Sequence, residues 1–424
     1  MRVLISGASI AGPALAYWLT RYGFAVTVVE RAPALRKTGG HAVDLFRPAM
    51  DIVERMGVLE QVVAKETGLE HLTVHRVGYD RPIRLEVRRL MAAVSDRHVE
   101  IMRDDLSEIF YDATRDDVEY VFGDSIASIS DEGEVTFDSG RAARFDLVIG
   151  ADGLHSNVRR LIFGPESAFS TWIGGYLAVV SVPNFLGLDG RMEAIAGVGR
   201  MAGMGAPHMG DPRAVFLFRT PEPLDYHHRD VAAQKRFLRE HFDGMGWEVP
   251  RIMAELDDTP AFYFDSITQL RLDTWSRGRV TLVGDAGYCP GPAVGGSTSL
   301  AVVGAYILAG ELAAHGGDHT RAFPAYEAEI GDYVRRSRTF AVNAAKRIVP
   351  GSRFELWALG AAVGLVTHLP AALTRAATKI TSKGVRLHDS IRLKDYSPHE
   401  VRRAPLGPAA SPPPPGTTPT PRGR

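Results

Sequence analysis

The sequence predicts an α/β fold in which one α/β domain is interleaved along the chain with a β-sheet domain and followed by a C-terminal helical segment. Three observations carry this reading. Three separated stretches, 1–70, 97–165 and 270–345, each pair a short apolar strand run with glycines and then a helical pattern. Between them lie β-rich runs such as Tyr176-Leu177-Ala178-Val179-Val180 and Val215-Phe216-Leu217-Phe218, joined by turns bearing Gly and Pro. Finally, 424 residues with 45% hydrophobic content exceed the roughly 250–300 residues at which a single core stops growing.

Taken in order, 1–70, 97–165 and 270–345 form the discontinuous α/β domain, and 71–96 with 166–269 form the β-rich one. His71-Leu72-Thr73-Val74-His75 and Pro82-Ile83-Arg84-Leu85 read as further strands of the latter. Residues 346–403 make the helical segment. Within it, Phe354 to Leu373 approaches the length of a membrane span. His368 and Pro370 interrupt that run, while Gly360 and Gly364 suit close helix packing. A packed helix is the expectation, with membrane contact as its alternative. Beyond Ala404 the chain is rich in Pro, Gly, Thr, Ser and Arg, with four consecutive prolines at Pro412 to Pro415, and reads as a disordered tail over 404–424.

Composition narrows the classes. A formal net charge of −1 provides no broad basic field, so nucleic acid is not an expected partner. The single cysteine, Cys289, allows no intramolecular disulfide and no Cys-rich zinc site, and it fits a reducing compartment. Met1 to Gly7 runs straight into a strand-and-glycine pattern, so no signal peptide is expected and the cytoplasm is the default location. A monomer or homodimer without metal is expected.

The chemistry is carried by three motifs. The first runs Val3-Leu4-Ile5-Ser6-Gly7-Ala8-Ser9-Ile10-Ala11-Gly12, then a helical stretch from Pro13 to Tyr22, then a strand Ala25 to Val29 ending at Glu30 and Arg31. This is a Rossmann-like unit. Gly7 permits the tight turn, small residues let the backbone approach a pyrophosphate, the helix N-terminus faces the phosphates and Glu30 accepts from a ribose. The usual middle glycine is Ser9. Gly7, Ser9, Ile10, Ala11, Gly12, Glu30 and Arg31 are therefore candidate contacts of a dinucleotide, NAD or FAD. The second motif is Phe145 to Arg159, an apolar strand leading into Asp152-Gly153 and then Ser156, Val158 and Arg159. The third is Gly278 to Ala286, a strand ending at Gly284-Asp285, followed by a Gly- and Pro-rich stretch that includes Pro292, Gly295, Gly296 and Ser297. Each places an acid just past a strand's C-terminal end, where ligands bind in open α/β sheets. Each acid could equally cap a turn.

In this order the three motifs resemble the group A FAD-dependent aromatic hydroxylases, the p-hydroxybenzoate hydroxylase fold. The resemblance implies FAD, a Rossmann-like FAD-binding domain and a β-sheet substrate domain. It implies Glu30 on the adenosine ribose, Asp285 on the ribityl chain and Arg103 on the FAD phosphate or flavin side. Pro292, Gly295, Gly296 and Ser297 then fall at the flavin ring. Asp152 and Arg159 fall in a motif associated with both FAD and NAD(P)H, with Asp152 assigned to FAD and Arg159 to NADPH. Within the family, Arg36 to Leu45 is similar to the tetracycline-inactivating monooxygenases. That likeness implies Arg36 on NADPH and Asp44 against the isoalloxazine, although one extra residue separates the Gly pair from the acid here. After Gly284-Asp285 the chain departs from the family, with Tyr288 for a frequent His, Ser297 for a Gly and Ser299 for an Asn. Ser297 and Ser299 are expected to donate toward a flavin carbonyl.

The activity implied is monooxygenation. NADPH or NADH reduces the flavin, O₂ adds to give a C4a-hydroperoxide, and an aromatic or polyketide-like small molecule is hydroxylated. No protein nucleophile is then required, since the cofactor carries the chemistry. Ala196 to Gly210, with Met201, Met204, Met209 and His208, is the expected pocket wall. The alternatives are an FAD-dependent reductase of an isoprenoid or quinone-type lipid, and a flavin-binding redox sensor without turnover. A halogenase would need a W-x-W-x-I-P context, and Gly246-Trp247-Glu248-Val249-Pro250 lacks its second Trp.

Overall fold

The computed structural model describes residues 1–35, 40–87, 91, 95, 97–208, 211–292, 296–368 and 391–396. Val3, Leu4 and Ile5 are fully buried, as a strand covered by helices on both faces must be. They belong to a six-stranded sheet in the order β17 (Ser276–Arg277), β18 (Val280–Leu282), β11 (Leu147–Gly150), β1 (Arg2–Ser6), β2 (Ala25–Glu30) and β7 (Glu119–Phe122). All pairings are parallel except β17 with β18. Because β1 lies between β2 and β11, the chain direction across the sheet reverses at its C-terminal end, which opens a crevice there. A three-stranded meander of β8 (Ile126–Ile129), β9 (Glu134–Phe137) and β10 (Ala142–Arg144) and a two-stranded ladder of β3 (Ala42–Phe46) with β6 (His98–Met102) flank it.

The second large sheet has seven strands in the order β16 (Phe262–Leu270), β12 (Ser170–Ser181), β15 (Arg213–Phe218), β14 (Arg200–Ala206), β13 (Arg191–Gly197), β4 (His71–Arg76) and β5 (Tyr79–Glu86). Side chains alternate across it. Tyr176, Ala178, Phe216 and Phe218 pack with Leu238 and Phe242 of the Val231–Phe242 helix into one core. Leu177, Val179, Leu217 and Ile267 face the other way and meet Ala341 of the His319–Ile348 helix.

Among the described residues, Ser297–Ala314 is the one helix long and apolar enough to cross a membrane, and 78% of it is buried. It is a core helix, packed on the Ala11–Arg21 helix. The Arg353–His368 helix lays Leu356 against Val74, Ile83 and Ala196, so it packs on the second sheet while Phe354 and Trp357 stay exposed. Residues 369–373 of the apolar run, and the whole 404–424 tail, lie outside the described residues. Residues 391–396 return to the first core. There Lys394 Nζ and Tyr396 Oη bond the buried Glu311 at 3.0 and 2.6 Å, and the Tyr396 ring occupies the space a side chain on Gly310 would need.

Candidate active site

The turn after β1 is a cradle that only glycine can form. Gly7 has φ +110°, and a Cβ there would sit 2.5 Å from the Ala151 carbonyl oxygen. A Cβ on Gly12 would overlap the Gly7 carbonyl itself. Helix Ala11–Arg21 therefore starts hard against the strand, and its N-cap, Ile10, contributes no side-chain acceptor. The first N–H groups are left for an anion. Arg103, the first residue of the Arg103–Asp112 helix, donates to Ser9 Oγ through Nε at 3.3 Å and Nη2 at 3.1 Å. The residue that replaces the usual glycine thus steers a cation to the same end. Glu30 closes β2, accepting from the Ala8 N–H and the Ala32 N–H, both at 2.9 Å. Each carboxylate oxygen keeps a lone pair for a hydroxyl donor. Arg31 lies exposed beside it.

The other end is built by the third motif. Gly284 has φ +67°, and a Cβ on it would lie 3.2 Å from Ala301 Cβ and 3.3 Å from Ala11 Cβ. The Gly284-Asp285 turn therefore sits where the starts of the Ala11–Arg21 and Ser297–Ala314 helices converge. Gly296 caps the latter at φ +89° with no side-chain acceptor, so a second set of N–H groups opens onto the same crevice, with Ser297 as its first residue and Pro292 just before. Burial pushes the Asp285 carboxyl up, while a hydrogen bond from the Cys289 thiol and the charge of Arg103 hold it down. Gly295 and Arg36 lie outside the described residues.

Several side chains that the motifs assign to ligands are engaged by the protein instead. Asp152 accepts from Ser156 Oγ and from the backbone N–H of Asn157 and Val158 at 2.8 and 3.1 Å, so its carboxylate caps the Asn157–Ile162 helix. Burial pushes its pKa up. Arg159, expected on NADPH, is 1% exposed. Its guanidinium donates to Ala286 O at 2.9 Å, Leu154 O at 2.6 Å and Glu166 at 2.7 Å, tying the second motif's turn to the third's. A nucleotide contact is therefore replaced by a brace between turns. Ser299, expected to reach a flavin carbonyl, is buried, donates to Asp44 O at 3.0 Å and accepts from Phe46 N–H at 2.9 Å. Tyr288 also turns inward, accepting from Tyr326 Oη at 3.0 Å.

The Leu177, Val179, Leu217 and Ile267 face of the second sheet is covered by Ala341 of the His319–Ile348 helix, and the sheet reaches the first motif's side through Arg213 and Tyr263. Arg213 Nε donates to Gly40 O at 3.3 Å, and the Tyr263 ring lies 5.2 Å from that of His41. His41 in turn accepts the Arg103 N–H at its carbonyl. Burial and the nearby Arg103 hold the His41 imidazole down at about 4, so it is neutral at pH 7. Asp44, on β3, meets His98 Nε2 at 2.7 Å. The expected methionine wall is only partly there. Met201 lies on the crevice-side face, whereas Met204 is fully buried in the opposite core because the strand alternates. His208 pairs with Asp189 at 2.7 Å on the surface, and Met209 lies outside the described residues. His41 lies within the Arg36–Leu45 segment with no role implied for it there, and His98, Tyr263 and Asp265 belong to no motif. Period-two alternation in Phe262 to Leu270 was the available signal for the last two, since it puts Tyr263, Asp265, Ile267 and Gln269 on one face.

Two open helix N-termini converging on a glycine, an acid at the end of β2 and a separate sheet facing the flavin end define a flavoprotein that acts on a second, small-molecule substrate. The glycine cradle, the acid and the cation fit FAD. The chain belongs to the FAD binding domain family, whose profile matches residues 1–339. It is 40% identical over 349 residues to a flavin-dependent monooxygenase of Legionella longbeachae, covering 81% of this chain and 88% of that one. It is 33% identical over 332 residues to an FAD-dependent monooxygenase of Sarocladium schorii, covering 75% and 76%. Its fold matches the crystal structure of tetracycline destructase Tet(55) with a TM-score of 0.78 and 34% identity, covering 93% and 98%. The protein is an FAD-dependent monooxygenase.

Proposed function

We propose that this monooxygenase hydroxylates an aromatic or polyketide-like small molecule, with NADPH or NADH as electron donor, on the apolar face of the second sheet. The observation that carries the reading is the juxtaposition of Leu177, Val179, Leu217, Ile267 and Ala341 with the His41–Tyr263 pair beside Arg103. Flat, largely apolar ligands suit such a wall. The likeness to a tetracycline destructase favours a fused-ring compound.

Bound FAD supplies electron transfer from NAD(P)H and activation of O₂. The chain's own residues bind and aim. Glu30 accepts ribose hydroxyls, Arg103 and the N–H groups after Ile10 hold the phosphates, and Asp285 accepts from the ribityl chain. Gly296, Ser297 and the helix start behind them face the ring. The apolar face excludes water from the reacting centre, and the neutral His41 imidazole offers a polar edge without adding charge. Asp152 acts indirectly by fixing its turn. A cytoplasmic location is part of the same reading, supported by the lone, buried Cys289.

The test is to purify the protein, record its visible spectrum, and follow NADPH and NADH oxidation with phenols, quinones and tetracyclines while weighing the products. Substrate-stimulated oxidation with a product one oxygen heavier is expected. A colourless protein that cannot be reconstituted with FAD sinks the reading, and oxidation that reduces a quinone without oxygen insertion replaces it with the reductase.

A further inference from the structure

Among the described residues, the half-buried Arg338 has no hydrogen-bond partner for two of its guanidinium nitrogens. It lies on the His319–Ile348 helix one turn before Ala341, the residue that closes the apolar face of Leu177, Val179, Leu217 and Ile267. Its Nε and Nη2 are both buried without a hydrogen-bond partner. Arg159 also has an unpartnered Nε, yet its other two nitrogens are bonded to Ala286 O, Leu154 O and Glu166. Arg213, on β15, donates to Gly40 O and Pro212 O.

Among the described residues, the charged group that acts on Arg338 is a second cation, Arg271. Gln269 Nε2 donates to the Arg338 carbonyl at 2.7 Å and to Pro290 O at 2.9 Å, while Gln269 Oε1 accepts from Arg271 Nη2 at 3.2 Å. The same amide thus links the Arg271 side chain to the backbone of Arg338. Burial, and then the charge of Arg271, hold the Arg338 pKa down to about 10, which still leaves it charged at neutral pH. A desolvated cation next to a second cation is destabilising unless an anion joins them, and a guanidinium's fixed fork suits an oxyanion.

We propose that Arg338, assisted by Arg271, receives the anionic group of the substrate, so that this enzyme acts on acids: aromatic or polyketide-like compounds bearing a carboxylate or an acidic enol. The apolar body lies on the Leu177–Ile267 face and its oxyanion reaches one helical turn further, to Nε and Nη2. This rests on the reading of that face as the substrate wall. A nucleotide phosphate presents the same chemistry, so the test separates the two sources.

The FAD-loaded full chain is titrated with naphthoate, with naphthamide, and with NADP⁺ against NAD⁺, following the flavin absorbance, and the series is repeated in Arg338→Met and Arg338→Lys. In the unmodified protein, naphthoate is expected to bind about tenfold or more tighter than naphthamide, as a charge-assisted bidentate contact should give. Arg338→Met brings the two ligands to equal affinity and leaves naphthamide unchanged, and Arg338→Lys keeps part of the preference. Equal response, or none, to acid and amide in the yellow unmodified protein overturns the proposal without recourse to a variant. So does an Arg338→Met protein that loses only the distinction between NADP⁺ and NAD⁺, which assigns the guanidinium to a nucleotide phosphate. A fall in melting temperature in Arg338→Met with the acid preference intact marks a structural arginine and also overturns it. Failure of the monooxygenase reading is distinct, because it shows as a chain that takes up no FAD.

Discussion

At the scale of single residues, Glu30 serves the fold and, in the proposed function, the ribose. Its carboxylate holds the Ala8 and Ala32 N–H groups and so sets the distance between the β1 turn and the end of β2. Glu30→Gln presents an NH₂ to one of those donors, leaving one N–H without its acceptor at a cost of about 1–3 kcal/mol. The apo protein should lose that much unfolding free energy in urea, and FAD affinity, read by fluorescence quenching, should fall about tenfold or more. Unchanged affinity would remove Glu30 from the ribose. Gly7, Gly12 and Glu30 were legible in the sequence because backbone geometry itself demands those residue types at that spacing. Asp152, Arg159 and Ser299 show the opposite case. Spacing put them beside the crevice, but which way each side chain turns depends on partners contributed by distant segments, such as Ala286 for Arg159 and Asp44 and Phe46 for Ser299. An acid that caps a helix and an acid that holds a ribose occupy the same place in a strand–turn–helix pattern.

At the scale of elements, β14 shows why the pocket was harder to read than the cofactor cradle. Met201 and Met204 are three apart, so in a strand they point to opposite faces. A methionine-rich run was visible in the sequence, but its division between wall and core needed the register, fixed here by the pairing of Met201 with Leu217 and Met204 with Ala214. The consequence is a separation of effects. Met204→Ala removes a fully buried side chain and should destabilise by about 2–5 kcal/mol, with the KM of whatever substrate is found left nearly unchanged. Met201→Ala should do the reverse, changing KM while moving the urea midpoint little. Paired denaturation and kinetics check both. If Met204→Ala shifts KM as much as Met201→Ala does, the face assignment fails. The strand runs at 71–75 and 82–85 were readable for the same reason that the wall was not. Apolar alternation identifies a strand locally, whereas its neighbours, β13 for β4, lie more than a hundred residues away.

At the scale of the whole molecule, the FAD-binding layer and the substrate sheet are joined beside the Asp152-Gly153 turn by His155. Its Nδ1 meets both oxygens of Glu166 at 3.1 Å, and its Nε2 lies 3.3 Å from Asp265 on β16. His228, from the loop following β15, stacks on it at 4.1 Å. Burial alone would lower the His155 pKa, but the hydrogen bonds and charges of Asp265 and Glu166 outweigh it and raise the value from 6.5 to about 9. A base whose folded pKa lies above its unfolded value stabilises fully below the unfolded value and loses that contribution as pH rises through the folded one. His228 has the opposite sign. Burial, then the positive His155, lower it to about 4, so its contribution is lost as pH falls from 6.5 toward 4. Thermal stability of the FAD-loaded protein should therefore peak near the ordinary histidine value, falling on the alkaline side through His155 and on the acid side through His228 and His41. Differential scanning measurements from pH 5 to pH 9.5 read both limbs. His155→Gln keeps hydrogen-bonding capacity without a charge, so it should lower the maximum and flatten the alkaline limb, while His228→Gln should make the acid limb shallower and leave the part that His41 carries. An alkaline limb equally steep in His155→Gln would mean that the imidazolium between Glu166 and Asp265 contributes nothing to the union of the two layers.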